Sequence, residues 1–272
     1  MRFQLAAFAD EASAQMTEQI RAMTENGIGY LEIRGVDGTN ISDLTFERAK
    51  EVRRQLDDYE IRVWSLGSPY GKIGIRDNFA PHLDKFKRGL ELADILGAEN
   101  IRMFSFYVPN GEAPAYRNAV MDRLQAFCQA AEGSGITLCH ENEKDIYGEN
   151  AERCLEIHQM FPQIRGVFDT ANFIQSGQDT IAAWELLHPY VKYLHIKDAM
   201  PNGAVVPAGK GIGNIPYILE RFQGEVLSIE PHLTIFPGFE ELEATRKSQM
   251  GYCYESPRSA FNAAVAAIKD LI

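Results

Sequence analysis

The stretch "ITLCHENEKDIYG", residues 136–148, changes from an apolar run into a cluster of titratable side chains. The run at residues 136–141 is short and apolar and is followed by a polar loop, which predicts a buried strand. A charged group in a low-dielectric interior costs free energy unless it is paired or coordinates a metal. A buried strand that ends in Glu141 therefore indicates a site that uses the carboxylate.

The same strand-and-helix unit repeats along the chain. Short apolar runs that predict strands alternate with amphipathic segments that predict helices, and no linker interrupts them. The predicted strands are "FQLAAF", "YLEIRG", "IRVWSLG", "NIRMFSF", "ITLCHE", "IRGVFD", "VKYLHIK" and "EVLSIE". This pattern predicts an α/β fold, a single (β/α)8 TIM barrel domain over residues 1–272. A doubly wound open sheet is the alternative, but no glycine-rich phosphate-binding motif follows the first strand.

The composition of the chain argues against some classes of function. The chain has 272 residues, of which 45% are hydrophobic and 24% charged, as in soluble globular proteins. A formal net charge of -11 with dispersed Lys and Arg argues against nucleic-acid binding. No apolar segment reaches the roughly 18 residues of a membrane span, and the start lacks a secretory signal. We therefore expect a cytoplasmic protein without nucleic-acid or membrane partners, and its four scattered cysteines predict free thiols.

Four consecutive predicted strands end in side chains that can bind a metal. Residues two apart on a strand share a face, so each of these side chains lies on either the inward or the outward face of its strand. The four residues are Glu141, Asp169, His195 and Glu230. Each alone has a simpler explanation, such as a turn cap for Asp169 or a hydrogen-bonded core imidazole for His195. Together they form a ring in which three carboxylates would repel without a cation. The oxygen-rich set favours one Mn2+ or Mg2+ ion, with Zn2+ or Co2+ as alternatives.

Five segments carry a resemblance to a known family. The runs "HENEKDIYG", "FDTANF", "LHIKDA", "PAGKGIGNIP" and "SIEPH" together resemble the sugar phosphate isomerase/epimerase superfamily, the xylose isomerase-like TIM barrels. The similarity extends from "FADE" near the start to the last predicted helix. It implies that Glu141, Asp169, His195 and Glu230 bind one divalent ion. It also implies an enzyme with a small-molecule carbohydrate substrate and a tendency to form homo-oligomers.

The predicted activity follows from this ring of ligands. We expect a divalent-metal-dependent isomerase or epimerase of a small sugar, sugar phosphate or hydroxy-ketone that transfers a proton through an enediolate. Glu141 and Glu230, which approach the metal from different sides, are the predicted catalytic residues. Two alternatives stay open, an inosose dehydratase-like lyase and a non-catalytic sugar-binding barrel. They stay open because Asn172 stands where many ketose epimerases of the family carry a His that contacts the substrate.

Several further side chains are predicted to bind the substrate. Lys197 and Lys210 offer positive charge for a phosphate or carboxylate, and Glu32 ends the second strand on the pattern "Y-x-E-x-R". Core packing is the alternative for Trp64, and an ion pair with a neighbouring Arg is the alternative for Glu32. Two long connections, residues 68–80 and 231–257, are expected on the face that carries the site. The predicted substrate-binding residues are Asn172, Glu32, Lys197, Lys210 and Trp64.

Overall fold

The computed structural model describes residues 2–234, 251–252 and 254–272. Eight parallel strands pair side by side and close into a barrel in the order β1-β8-β7-β6-β5-β4-β3-β2. All eight predicted strands and the predicted (β/α)8 fold are confirmed. The barrel strands are β1 Gln4–Ala7, β2 Tyr30–Ile33, β3 Arg62–Leu66, β4 Asn100–Met103, β5 Thr137–Glu141, β6 Arg165–Asp169, β7 Val191–Ile196 and β8 Val226–Ile229.

Helices connect the strands along the described chain. They are α1 Met16–Glu25, α2 Phe46–Asp57, α3 Phe79–Leu96, α4 Ala113–Ala131, α5 Ala151–Met160, α6 Thr170–Gln175, α7 Thr180–Leu187, α8 Ile215–Arg221 and α9 Pro257–Lys269. Gly97 closes α3 in the left-handed conformation, and the Ser256 side chain caps α9. Helix α6 was not predicted, because "DTAN" has the composition of a turn. Its first turn is held by the Asp169 side chain, which accepts a hydrogen bond from Asn172 N.

The barrel interior is a layer of side chains that alternate along each strand. The inward members of this layer are Ala6, Tyr30, Trp64, Cys139, Val167, Tyr193 and Val226. Two residues further along their strands lie Glu32, Glu141, Asp169 and His195, all buried. Because side chains two apart share a face, the polar site at the C-terminal ends of the strands lies directly next to the apolar interior layer.

The long connection after β3 packs on the end of β4. Phe104 N donates to Tyr70 O at 2.8 Å, and Phe106 N donates to Gly71 O at 3.0 Å. These bonds fix the connection on the face of the barrel that carries the site, as expected. The other long connection, residues 231–257, includes residues 235–250 and 253, which lie outside the described residues, so its predicted placement over the site stays a prediction.

Two compositional expectations can be compared with the structure. Cys128, Cys139 and Cys154 are free and buried. Across the described ranges, we find no helix with the length and apolarity that a membrane crossing requires.

The close approach at Gly71 generates a stability prediction. Gly71 has φ +90, and a Cβ there would lie 2.1 Å from Phe104 O, whereas Gly111 has φ +75 and open space around it. Left-handed strain of about 1–2 kcal/mol should accompany Gly→Ala at either position. Gly71→Ala should lose about 1–3 kcal/mol more because the backbone of β4 must move. Urea unfolding of the two variants checks this difference, and equal losses would contradict it.

Candidate active site

The four predicted metal ligands lie together at the mouth of the barrel. Glu141 and Asp169 end β5 and β6, His195 lies on β7, and Glu230 follows β8. One ligand atom from each lies within 4.8 Å of the others, and all four residues are buried. His195 Nδ1 is 3.0 Å from Glu141 Oε1, 3.4 Å from Glu230 Oε2 and 3.9 Å from Asp169 Oδ2. The structure thus brings the four side chains into one cluster.

This cluster crowds negative charge into a buried volume. Burial raises the pKa of Asp169 to about 7, an effect that the Lys197 ammonium opposes and the Glu230 and Glu141 carboxylates reinforce. A carboxyl group responds in this way when its charge is neither hydrated nor fully compensated. Three carboxylates and one imidazole nitrogen at this spacing fit a divalent cation, which would relieve the repulsion.

Lys197 already places one positive charge among the predicted ligands. Its Nζ lies 2.9 Å from Asp169 Oδ2 and 2.8 Å from Glu230 Oε2, with the lysine side chain 3% exposed. Burial favours the neutral amine, but the neighbouring carboxylates outweigh it and hold the pKa of Lys197 well above its usual value. A metal ion bound by Asp169 and Glu230 must therefore compete with this ammonium group.

Glu32 orients His195 from below. His195 Nε2 lies 3.1 Å from Glu32 Oε2, and the same carboxylate accepts hydrogen bonds from Tyr193 Oη at 2.8 Å and Ser228 Oγ at 2.6 Å. Because Glu32 engages Nε2, the ring presents Nδ1 to the predicted ligands. Glu32 is fully buried in these contacts, and its predicted role in substrate binding stays a prediction. Burial opposes the charged form of Glu32, but His195, Arg102 and the Ser228 hydrogen bond outweigh it and lower the pKa of this carboxyl group.

Two arginines that the sequence did not assign to the site hold the carboxylates that are predicted to be catalytic. Arg102 Nη1 lies 3.1 Å from Glu141 Oε2 and 3.8 Å from Glu230 Oε1, and Arg34 Nη1 lies 3.3 Å from Glu230 Oε1. Both guanidinium groups are buried. The sequence does contain a signal for Arg34, because it follows Glu32 by two residues and so continues the inward face.

Asparagine side chains tie the ends of β5 and β6 together. Asn142 exchanges two hydrogen bonds of 2.9 Å with the backbone of Asp169. Asn172 Nδ2 donates to Glu141 Oε1 at 3.2 Å and to Asn142 O at 2.9 Å. These bonds fix the carboxylates of Glu141 and Asp169 relative to each other. Asn142 was not singled out from the sequence, although it directly follows a strand that ends in a predicted ligand.

A cleft opens above the cluster and is rich in charged side chains. Among the residues that line it are Arg34, Lys72, Arg102, Lys197, Glu141 and Glu230. Asn172 also lines this cleft. Lys197 and Asn172 both line this cleft, and their substrate-binding roles stay predictions.

Trp64 does not line this cleft, and its predicted role in substrate binding stays a prediction. It belongs to the apolar interior layer and meets Tyr30 and Tyr193 edge-on, with ring centroids 5.8 Å apart in both pairs. Edge-to-face packing of this kind contributes to the core. The core alternative for Trp64 is thus the one that the structure supports.

Lys210 is exposed on a loop and does not line the cleft above the cluster. The loop is held by Asp198, whose carboxylate accepts hydrogen bonds from Gly209 N, Gly211 N and Gly213 N at 2.9–3.0 Å. This arrangement accounts for two of the three glycines of "GKGIG", because a Cβ at Gly211 or Gly213 would collide with Asp198. The structure places Lys210 away from this cleft, and its predicted role in substrate binding stays a prediction.

Comparison with known proteins identifies the family. A family model described as xylose isomerase-like TIM barrel matches residues 20–247. The match covers most of the chain, so the protein belongs to the xylose isomerase-like TIM barrel family. The resemblance that the sequence motifs indicated is thereby confirmed.

Individual relatives are distant. The chain is 19% identical over 212 residues to the 3-dehydroshikimate dehydratase of Bacillus anthracis, which covers 74% of this chain and 75% of that protein. The solved structure of IolI protein with a bound zinc atom is 15% identical with a TM-score of 0.71, over 98% of this chain and 97% of that one. D-psicose 3-epimerase in the presence of D-fructose is 16% identical with a TM-score of 0.71, over 98% of both chains. At these identities the structural likeness shows the fold, and the names, a dehydratase and an epimerase, agree with the prediction of an enzyme.

The position of Lys197 generates a prediction about metal affinity. Lys197→Met removes the competing ammonium with little change in volume, so the Kd for Mn2+ should fall about tenfold or more. The metal-free variant should also be less stable by about 3–5 kcal/mol, since two buried carboxylates lose their cation. Calorimetric titration with Mn2+ and thermal melts with and without the ion measure both effects.

The control for this experiment is Lys85→Met, which removes a surface ion pair with Asp43 and should leave Mn2+ affinity unchanged. If the metal-free Lys197→Met protein does not fold, chelator competition on protein purified with Mn2+ gives the affinity. Unchanged or weaker binding of Mn2+ would show that Lys197 does not compete for the site.

Proposed function

We propose that the protein is a metal-dependent enzyme that moves a proton at the carbon next to the carbonyl of a small carbohydrate or hydroxy-ketone. The supporting observation is that Glu141 and Glu230, from non-adjacent strands, meet in one buried cluster with Asp169 and His195. Isomerisation or epimerisation is the leading reaction. Removal of water from the substrate is the second candidate.

The cluster suits such chemistry because it combines ligands with proton carriers. A divalent ion held by Glu141, Asp169, His195 and Glu230 would supply positive charge to the carbonyl and hydroxyl oxygens of the substrate, which acidifies the C–H between them. Mn2+ or Mg2+ is our first expectation from the oxygen-rich ligand set, and Zn2+ or Co2+ the alternative.

The two glutamates are proposed to carry the proton. Each has one oxygen toward His195 and a second toward Arg102, with Arg102 Nη1 3.1 Å from Glu141 Oε2 and 3.8 Å from Glu230 Oε1. One carboxylate would accept the proton as a base and the other would return a proton as an acid. Arg102 and Arg34 would hold both carboxylates in place while the substrate binds.

Dehydration would use the same first step. After the proton leaves, a carboxylic acid of the site would protonate the hydroxyl on the next carbon, which departs as water and leaves an unsaturated ketone. The name of the curated relative, 3-dehydroshikimate dehydratase, favours this second candidate. Asn172, in place of the His of many ketose epimerases, is consistent with it.

Solvent exchange tests the proposal directly. Wild-type protein with Mn2+ in deuterated water should incorporate deuterium next to the carbonyl of at least one member of a panel of ketoses, an inosose, hydroxypyruvate and 3-dehydroshikimate. Glu141→Gln should slow this exchange by about 100-fold or more, because the base is lost. Mass spectrometry or proton NMR measures the exchange, and metal analysis of each variant separates loss of the base from loss of the ion.

The controls and products distinguish the reactions. Glu91→Gln, at an exposed position of α3, should exchange as fast as wild type. A product of unchanged composition identifies an isomerase or epimerase, and a product that has lost water identifies a dehydratase. Tight binding of a substrate with no exchange would contradict the proposal and support the non-catalytic sugar-binding barrel.

A further inference from the structure

The cleft above the cluster is too narrow for any molecule larger than water. Between the described residues, the space in it that the centre of a water molecule can occupy is about 10 Å3, which is the room that a single water needs. A hydrated divalent ion or a three-carbon sugar is several times larger. Some of the side chains that line the cleft must therefore move before a ligand can reach Glu141 and Glu230.

Lys72 and Glu143 form the outer end of this cleft. Their side chains are 11% and 12% exposed, whereas the other described residues that line the cleft are at most 5% exposed. Lys72 Nζ lies 3.0 Å from Glu143 Oε2. Lys72 belongs to the connection after β3 and Glu143 to the connection after β5, so their ion pair joins two separate connections at the mouth of the cleft.

Both side chains are held in the paired position by further contacts. The Lys72 ammonium lies 4.4 Å above the Phe104 ring. Glu143 uses its other oxygen, Oε1, to accept a hydrogen bond from Lys144 N at 2.8 Å. Exposed ion pairs are weak partly because two long side chains must be ordered to form them. Here these contacts already order both partners, so the ion pair has a defined position.

The backbone that carries the pair is fixed by hydrogen bonds across three segments. The connection after β3 meets the segment after β4, where Tyr107 N donates to Ile73 O at 2.9 Å and Ile75 N donates to Tyr107 O at 2.8 Å. That segment also meets the connection after β5, where Tyr147 N donates to Phe106 O at 3.0 Å. Movement of this backbone would break these bonds, whereas rotation of the two side chains breaks one ion pair.

We propose that the Lys72–Glu143 ion pair is a gate over the cleft. In the paired state the two side chains exclude molecules larger than water from the carboxylates below, and separation of the pair by side-chain rotation admits a ligand. A gate that closes again over a bound ligand keeps water away from the cluster, which strengthens the electrostatic interactions there. The gate itself does not depend on the reaction that we propose.

Alkylation of a cysteine inside the cleft measures how often the gate opens. Asn172→Cys places a thiol among the lining residues, and iodoacetamide, which is neutral and larger than water, reaches it only when the cleft is open. In this background the double substitution Lys72→Met/Glu143→Gln removes the ion pair without a change of net charge. Alkylation at position 172, followed by peptide mass spectrometry, should become about tenfold faster or more, because the charged contact no longer holds the cleft closed.

Two matched variants in the same background control for other effects. Lys72→Arg keeps the charge and should be alkylated as slowly as the background protein. Lys85→Met/Asp43→Asn removes an exposed ion pair, again without a change of net charge, and should also leave the rate unchanged. Equal rates with and without the Lys72–Glu143 pair would overturn the gate. Alkylation of the background protein as fast as that of the urea-unfolded chain would also overturn it.

Release of Mn2+ decides the question if the reporter variant does not fold. A gate sets the rates of entry and release together, so Lys72→Met/Glu143→Gln should speed both about tenfold and leave the Kd for Mn2+ within about twofold. Stopped-flow transfer of the ion to a fluorescent chelator measures the release. A changed Kd with an unchanged release rate would show an effect of charge on the metal and would overturn the gate.

The outcomes also separate the gate from the proposed function. Alkylation that depends on the ion pair, in a protein that exchanges no substrate proton with solvent, would sustain the gate and reject the enzyme. Solvent exchange in a protein whose alkylation does not depend on the ion pair would sustain the enzyme and reject the gate.

Discussion

The organisation of the site depends on one constraint, the repulsion among three carboxylates that are buried at the mouth of the barrel. Each of them meets a cationic side chain: Arg102 for Glu141, Arg34 for Glu230, and Lys197 for Asp169. Repulsion of this kind is strong where water is excluded, so these cations are needed before any metal or substrate binds. The same contacts fix the carboxylates in defined orientations. The ion pairs that balance the charge of the three carboxylates therefore also hold these carboxylates in position.

The barrel meets this constraint because its strands all end on one face. Apolar side chains such as Tyr30, Trp64 and Tyr193 fill the interior layer beneath the site and exclude water from it. A step of two residues along a strand then leads from that layer to a charged group, as from Tyr193 to His195. The low dielectric that makes the carboxylates costly also strengthens every ion pair that holds them. The alternation of residues along each strand thus sets both the apolar packing of the barrel interior and the position of the charged groups above it.

Local rules of sequence explain what could be predicted. The clustering of Glu141, Asp169, His195 and Glu230 could be predicted because strand periodicity and strand ends are properties of short segments. The role of Glu32 could not be predicted, because it depends on which residues lie across the barrel. Its partners Tyr193 and Ser228 are 161 and 196 positions away in the chain, and strand tilt decides whether such pairs meet. The position of Lys210 could not be predicted for a related reason, since the loop that carries it folds around Asp198.

The segment "HIKDA", residues 195–199, contributes side chains both to the charged cluster and to the glycine loop that follows it. His195 and Lys197 face the cluster, while the carboxylate of Asp198 binds backbone N–H groups of the glycine loop. Lys197 is also held through its carbonyl oxygen, which accepts a hydrogen bond from Thr170 Oγ1 at 2.6 Å. With the backbone fixed on both sides, the freedom that remains to Lys197 lies in its four-carbon side chain. Exchange of its ammonium for a metal ion would require only a side-chain rotation, so the four predicted ligands could stay in place while the charge among them changes.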